Sequence, residues 1–105
     1  MSDPMLDRVP PHNQEAEQSV IGAIFLEPQA LITAAEIVMP EDFYRVAHQK
    51  IFQTMLRLSD QGKAIDVVTV TEELSSKKEL EDVGGISYIS EIANAVPTAA
   101  NIAYY

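Results

Sequence analysis

Apolar side chains recur at helical spacing along most of this sequence, in short segments separated by proline and glycine. Within residues 14–26, Val20 and Ile24 are four apart, and so are Ile21 and Phe25. This spacing places them on one face of a helix that follows Asn13, a suitable N-cap. Similar segments are interrupted by Pro28, Pro40, Gly62, Gly84, Gly85 and Pro97. Because proline and glycine end helices, the pattern predicts several short helices.

The next two helices are predicted from the same spacing. The second starts at Pro28 and is closed by Pro40, and its side chains expected to face inward are Leu31, Ile32, Ala35 and Val38. The third and longest covers residues 43–61, with an apolar line formed by Ala47, Ile51, Met55 and Leu58. Gly62 is expected to end this helix, since glycine is common just after a C-cap.

Residues 65–71 are the one segment in which a strand competes with a helix, because the segment is rich in β-branched side chains. A capping box over residues 69–72 and the four-residue spacing of Val70 and Leu74 favour a helix over about 68–77. A short helical turn over 79–83 and a sixth helix follow, the latter spaced by Ile86, Ile89, Ala93 and Val96. A single strand cannot pair with itself, so the predicted class is all-α, a small single-domain bundle of about six helices.

The last residues are expected to begin another helix. Pro97 breaks the sixth helix, Thr98 is a good N-cap, and the apolar turn that follows reaches the end of the chain at Tyr105. We therefore expect a module of a longer chain. The expected organisation is a flexible segment over 1–13, a helical globular domain over 14–97 and the start of a further element over 98–105.

Composition limits the functions that this chain can have. Its 105 residues, 47% of them hydrophobic, are enough for one domain with a small core. The absence of cysteine, of a secretory segment and of a membrane-length apolar run suits a cytoplasmic protein. The formal net charge of −9, with basic residues scattered along the chain, argues against direct binding to nucleic acid. Protein partners with basic surfaces are expected instead.

No catalytic, cofactor or metal site is predicted. A phosphate-loop pattern is absent, and Gly84-Gly85 is better explained as a helix stop. His48, one turn before Phe52, is expected to be a structural histidine with satisfied hydrogen bonds. The acidic residues over 72–73 and 79–82 are expected to form a solvated face, with a cation site as the alternative. A helix-turn-helix is disfavoured because its recognition helix would carry Glu72 and Glu73.

Two residues, Glu15 and Tyr88, are predicted to take part in partner binding. Glu15 lies in the first turn of the first helix, where an acidic side chain also interacts favourably with the helix dipole. Tyr88 is one position off the apolar stripe of the sixth helix, so its ring is expected at the rim of the buried face. A rim tyrosine is either an ordinary edge residue or an interface contact, a role for which tyrosine is favoured.

Five segments, in order, give the chain a specific resemblance. They are Arg8-Val9-Pro10-Pro11-His12-Asn13 and its continuation to Ala23, Asp42-Phe43-Tyr44-Arg45 and its continuation to Phe52, Asp66-Val67-Val68-Thr69-Val70, Gly84-Gly85-Ile86-Ser87-Tyr88, and Val96-Pro97-Thr98-Ala99-Ala100-Asn101-Ile102. Together they resemble the amino-terminal region of bacterial replicative DNA helicases of the DnaB type. The resemblance covers nearly the whole chain from Arg8 onward.

This resemblance implies a small helical globule that helps a hexameric helicase to assemble and to recruit primase. ATP and Mg²⁺ would act in a motor domain that unwinds duplex DNA and is not part of this sequence, and a helicase loader would be a further partner. Glu15 and Tyr88 are the expected primase contacts.

The segment from Thr98 onward would be the start of a helical hairpin, in which Ile102, Tyr104 and Tyr105 serve self-association. The fragment alone is expected to be a monomer or weak dimer without enzymatic activity. The alternative is a free-standing acidic helical adaptor.

Overall fold

The third helix predicted from the sequence forms the centre of the domain. The computed structural model describes residues 14–95, and within that range it contains five α-helices, two 3₁₀ turns and no strand. The α-helices are α1 (Gln14–Leu26), α2 (Ala30–Ile37), α3 (Val46–Asp60), α4 (Val67–Ser76) and α5 (Gly85–Ala95), and the 3₁₀ turns are Pro40–Asp42 and Glu81–Val83. The prediction of an all-α fold is confirmed, whereas the segments 1–13 and 98–105 lie outside the described residues.

The core is assembled around α3. This helix packs against α1, α4 and both 3₁₀ turns, while α1 packs most extensively against α5. Of the predicted apolar line of α3, Ile51, Met55 and Leu58 are buried, with Phe52 beside them, and Ala47 is half-buried. The other fully buried side chains include Ile21, Ile24, Val70, Leu74, Val83, Ile89 and Ile92. Every α-helix except α2 therefore contributes at least two side chains to one core.

Two predictions about inward-facing residues are wrong. On α2, Ile32 is 66% exposed and Ala35 is exposed, while Leu31 is buried. The reason is that α2 packs on α1 through a narrow stripe, so its opposite face is left in solvent. On α5, Ile86 is 53% exposed because it lies in the first turn, and the buried stripe runs through Ile89 and Ile92 instead.

The ends of α2 also differ from the prediction. Ala30 is its first helical residue, so Pro28 precedes the helix, and Ile37 is its last. Pro40 does not close α2 directly, because it starts the separate 3₁₀ turn that leads to α3. Proline suits this first position since it has no N–H to leave unpaired.

The ambiguous segment is a helix, but its cap is one turn earlier than predicted. Asp66 is the N-cap of α4, and its Oδ1 accepts a hydrogen bond from the Thr69 N–H at 2.8 Å. In return the Asp66 N–H donates to the Thr69 hydroxyl at 2.9 Å. Thr69 therefore closes a capping box as its third residue rather than opening one. This reciprocal pair favours a helix over the strand that the β-branched residues suggest.

Helices α3 and α4 end in the same hydrogen-bonded motif with different residues. After α3, the Lys63 N–H donates to the Leu58 carbonyl, and after α4 the Glu79 N–H donates to the Leu74 carbonyl. Both are six-to-one bonds, which require a left-handed residue just before the donor. That residue is Gly62 after α3, with φ of 72°, and Lys78 after α4, with φ of 62°.

Candidate functional site

A buried hydrogen-bonded network joins three helices at the side of the domain where Tyr88 lies. His48, on the first turn of α3, is completely buried. Its Nδ1 is 2.6 Å from Glu17 Oε1 on α1, and its Nε2 is 2.7 Å from the Tyr88 hydroxyl on α5. The Gln18 amide nitrogen lies 3.0 Å from the same hydroxyl. The expectation that His48 is a structural histidine with satisfied hydrogen bonds is confirmed.

The hydrogen-bonding capacity of these groups assigns a direction to each bond. The Gln18 amide nitrogen can only donate, so the Tyr88 oxygen accepts from it and keeps its own hydrogen for His48 Nε2. The Glu17 carboxylate can only accept, so His48 Nδ1 donates to it. With a hydrogen on Nδ1 and a lone pair on Nε2, the imidazole satisfies the hydrogen-bonding capacity of both of its neighbours.

Glu17 also serves the chain segment that leads into α3. Its Oε2 accepts from the Tyr44 N–H at 2.5 Å, and its Oε1 is 3.4 Å from the Arg45 N–H. Arg45 is the N-cap of α3 and makes no side-chain cap of its own. The carboxylate from α1 thus supplies acceptors and negative charge near a helix N-terminus, where both are stabilising.

The network reaches the surface at Tyr88. The Tyr88 side chain is half-buried and borders a shallow depression of about 400 Å³. The depression is lined by Arg45, Ala47, Asp82, Val83, Gly84, Ser87, Tyr88 and Glu91. Glu91 is exposed one helical turn after Tyr88. The Tyr88 ring and the Glu91 carboxylate therefore both line the rim of this depression.

The fold places the two predicted partner-binding residues on α1 and α5, two helices that pack against each other. Glu15 is exposed and lies three residues before Gln18, so the two share one side of α1. Gln18 is the residue that bonds to Tyr88. The partner roles of Glu15 and Tyr88 stay predictions, and Ile102, Tyr104 and Tyr105 lie outside the described residues.

The acidic surface opposite α3 is partly paired rather than simply solvated. Lys50 Nζ lies 2.9 Å from Asp82 Oδ2 and 3.5 Å from Glu79 Oε2. The hydrogen bond to Asp82 raises the pKa of Lys50 above its ordinary value. Arg57 contacts Glu73 at 3.4 Å.

Among residues 14–95, no cluster of three or more histidine, cysteine or acidic side chains could hold a metal ion, and no helix is long and apolar enough to cross a membrane.

Sequence reasoning missed the network itself. The structural role predicted for His48 depends only on its neighbour Phe52. The role predicted for Glu17 depends only on its place in the first turn of a helix. The partners are separated by 31 residues for Glu17 and His48 and by 40 for His48 and Tyr88. Helical periodicity relates only residues within a few turns, so no local pattern could have found these pairs.

Comparisons with known proteins agree with the resemblance noted in the sequence. The family model described as DnaB-like helicase N terminal domain matches residues 9–105. The chain is 59% identical to the Replicative DNA helicase DnaB of Geobacillus stearothermophilus and 60% identical to the Replicative DNA helicase DnaC of Bacillus subtilis (strain 168), in both cases over all 105 residues. It spans 23% of the length of each of these relatives.

A solved structure supports the same assignment. The crystal structure of the N-terminal domain of DnaB helicase from Mycobacterium tuberculosis superposes with a TM-score of 0.83 at 42% identity. The match covers 91% of this chain and 67% of that one. With a family match over nearly the whole sequence and a shared helical fold, this chain belongs to the DnaB-like helicase N-terminal domain family of replicative DNA helicases.

Proposed function

We propose that this chain is the amino-terminal assembly and primase-docking domain of a hexameric replicative DNA helicase. The parent protein would unwind duplex DNA at the fork, with ATP and Mg²⁺ bound in a motor domain elsewhere in its sequence. The observation that carries the proposal is the 59–60% identity, over the full chain, to two proteins named as replicative DNA helicases. The chain spans 23% of those relatives, and the part that it would play in the parent protein is assembly and docking.

The docking surface in this proposal is centred on Tyr88. Its half-buried ring offers aromatic area at a rim that also carries Glu91, and exposed Glu15 lies on the neighbouring helix α1. Carboxylates around an aromatic side chain suit a partner with basic residues, and the net charge of −9 favours the same kind of partner. Primase is the partner that the family resemblance supplies, and a loader is a second one.

Self-association in this proposal uses the segment from Thr98 onward. Ile102, Tyr104 and Tyr105 would pack against a neighbouring subunit once the helical hairpin is complete. In the parent protein this contact would help to close a hexameric ring.

The test of primase docking is a calorimetric titration of this chain with the carboxy-terminal domain of the cognate primase. Tyr88→Ala should weaken binding by about 1–3 kcal/mol, roughly 5- to 150-fold, because it removes aromatic contact area. Glu15→Lys should weaken it in a salt-dependent way, mainly through the association rate. Glu36→Lys, the same charge change at an exposed position on α2, is the matched control and should leave affinity nearly unchanged.

Thermal melts have to accompany these titrations. Tyr88→Ala also leaves His48 Nε2 without its partner, so a loss of stability is expected alongside the loss of binding. Wild-type affinity in both Tyr88→Ala and Glu15→Lys would contradict the proposed surface. A stop codon directly after Tyr105 in the coding sequence would instead favour the free-standing adaptor.

A further inference from the structure

We infer that His48 is a positioning residue for the docking surface, which holds the Tyr88 ring in one orientation without itself reaching a partner. The inference rests on the proposed function, because it assigns a supporting residue to the same site. His48 is completely buried, so a docked protein cannot touch it. Its influence on binding is therefore indirect, and the side chain that its Nε2 reaches at the surface is Tyr88.

The orientation of the His48 ring is fixed by residues on the side of the ring away from Tyr88. Glu17 Oε1 accepts from His48 Nδ1 at 2.6 Å, while the other oxygen of Glu17 bonds to the Tyr44 N–H. The Glu17 side chain is only 12% exposed, so water competes little for these bonds. The ring of Phe43 packs edge-on against the imidazole, with centroids 6.4 Å apart. His48 is thereby fixed by hydrogen bonds and by packing.

Tyr88 is in turn restrained at both ends of its side chain. At its tip, the hydroxyl donates to His48 and accepts from Gln18, which belong to two different helices. At its base, a Cβ placed on Gly84 would be 2.8 Å from Tyr88 Cβ, so the backbone closes off that side. The Tyr88 and His48 rings lie nearly parallel, with planes 14° apart. A partner therefore meets a ring that is already ordered.

An ordered ring has a measurable effect on affinity. A tyrosine that rotates freely has to be immobilised when the partner docks, and immobilising one side chain weakens binding by about 2- to 12-fold. His48→Leu removes both hydrogen bonds and fills the buried space with an apolar side chain. We expect this variant to bind the primase domain about 2- to 12-fold more weakly than the wild type.

A conservative variant separates positioning from a general loss of stability. His48→Gln keeps an amide donor for Glu17 and a carbonyl acceptor for the Tyr88 hydroxyl. We expect His48→Gln to recover most of the affinity lost in His48→Leu. In NMR spectra, the Tyr88 side-chain couplings should report a single rotamer in the wild type and in His48→Gln, and rotamer averaging in His48→Leu.

If His48→Leu does not fold into a stable domain, as judged by the loss of cooperative unfolding, Tyr88→Phe tests the positioning role instead. This variant retains the ring and loses the hydroxyl, so rotamer averaging and a similar loss of affinity are expected. Wild-type affinity in both His48→Leu and Tyr88→Phe, combined with weak binding by Tyr88→Ala, would overturn the positioning role and leave docking at Tyr88 intact. Wild-type affinity in Tyr88→Ala would overturn the docking function and the positioning role together.

Discussion

At the scale of single residues, Gly84 combines a left-handed backbone with a close approach to Tyr88. Its φ is 100°, which disfavours side chains, and it caps the 3₁₀ turn that precedes α5. The position of a Cβ on Gly84 would be 2.8 Å from Tyr88 Cβ, an atom too close to the backbone to move aside. The same glycine thus ends one element and leaves space for the tyrosine of the next.

We expect Gly84→Ala to destabilise the domain by about 2–4 kcal/mol, the sum of left-handed strain and a steric clash. Gly62→Ala is the matched control, because Gly62 also has a positive φ but has nothing within 4 Å of its Cβ position. That variant should cost only about 1 kcal/mol, from backbone strain alone. Urea unfolding midpoints measure both values. Equal losses in the two variants would show that the contact with Tyr88 is not tight.

The candidate site was only partly predictable from single residues. Tyr88 was found at the rim because its distance from the apolar stripe is a local property of one helix. Its pairing with His48 and Gln18 depends on how α1, α3 and α5 are arranged, which periodicity does not report. The sequence therefore predicts a tyrosine at the rim of the buried face but not the buried histidine to which its hydroxyl is bonded.

At the scale of helices, the sequence predicts which segments are helical, because helical spacing is a local property. The boundaries of α1, α3 and α4 lie within a few residues of the predicted ones. Which face is buried depends on the neighbouring element. Helical spacing predicts Ile32 inside, yet within residues 14–95 α2 packs to any extent only on α1, and Ile32 is exposed. The left-handed conformation of Lys78 just after α4 was not predictable, since lysine is an unusual residue at such a position.

The two helix ends described above provide a test within one molecule. Lys78→Gly should stabilise the domain by about 0.5–1 kcal/mol, because it relieves left-handed strain at a cost in chain entropy. Gly62→Lys, the reciprocal change at the same position of the motif after α3, should destabilise it by a similar amount. Chemical denaturation measures both variants. A destabilised Lys78→Gly protein would mean that the lysine side chain makes a compensating interaction.

At the scale of the whole molecule, the charge distribution opposes contact with DNA. The net charge is −9, and several basic groups of the described residues already face acidic or amide oxygens. These contacts join Lys50 to Asp82, Arg57 to Glu73, and Arg45 to Gln14. A phosphate backbone would have to displace these contacts while being repelled by the excess of carboxylates.

We therefore expect this chain to bind a forked oligonucleotide no more tightly than about 10⁻⁴ M at physiological salt. Fluorescence anisotropy with a labelled fork measures this affinity, and a titration at reduced salt provides the control for weak electrostatic binding. Submicromolar binding would show that the few basic residues converge on a surface for nucleic acid. It would also contradict the proposal that this domain binds proteins alone.

The packing of α1 against α5 has a consequence for how the chain is made. These are the first and last helices of the described range, and Gln18 on one is bonded to Tyr88 on the other across 70 positions of sequence. A nascent chain emerging from the ribosome can form α1 and α3 early, but His48 then lacks the Tyr88 hydroxyl and α1 lacks the helix against which it packs most extensively. Since a domain folds as a unit, its closure has to wait until α5 has left the exit tunnel.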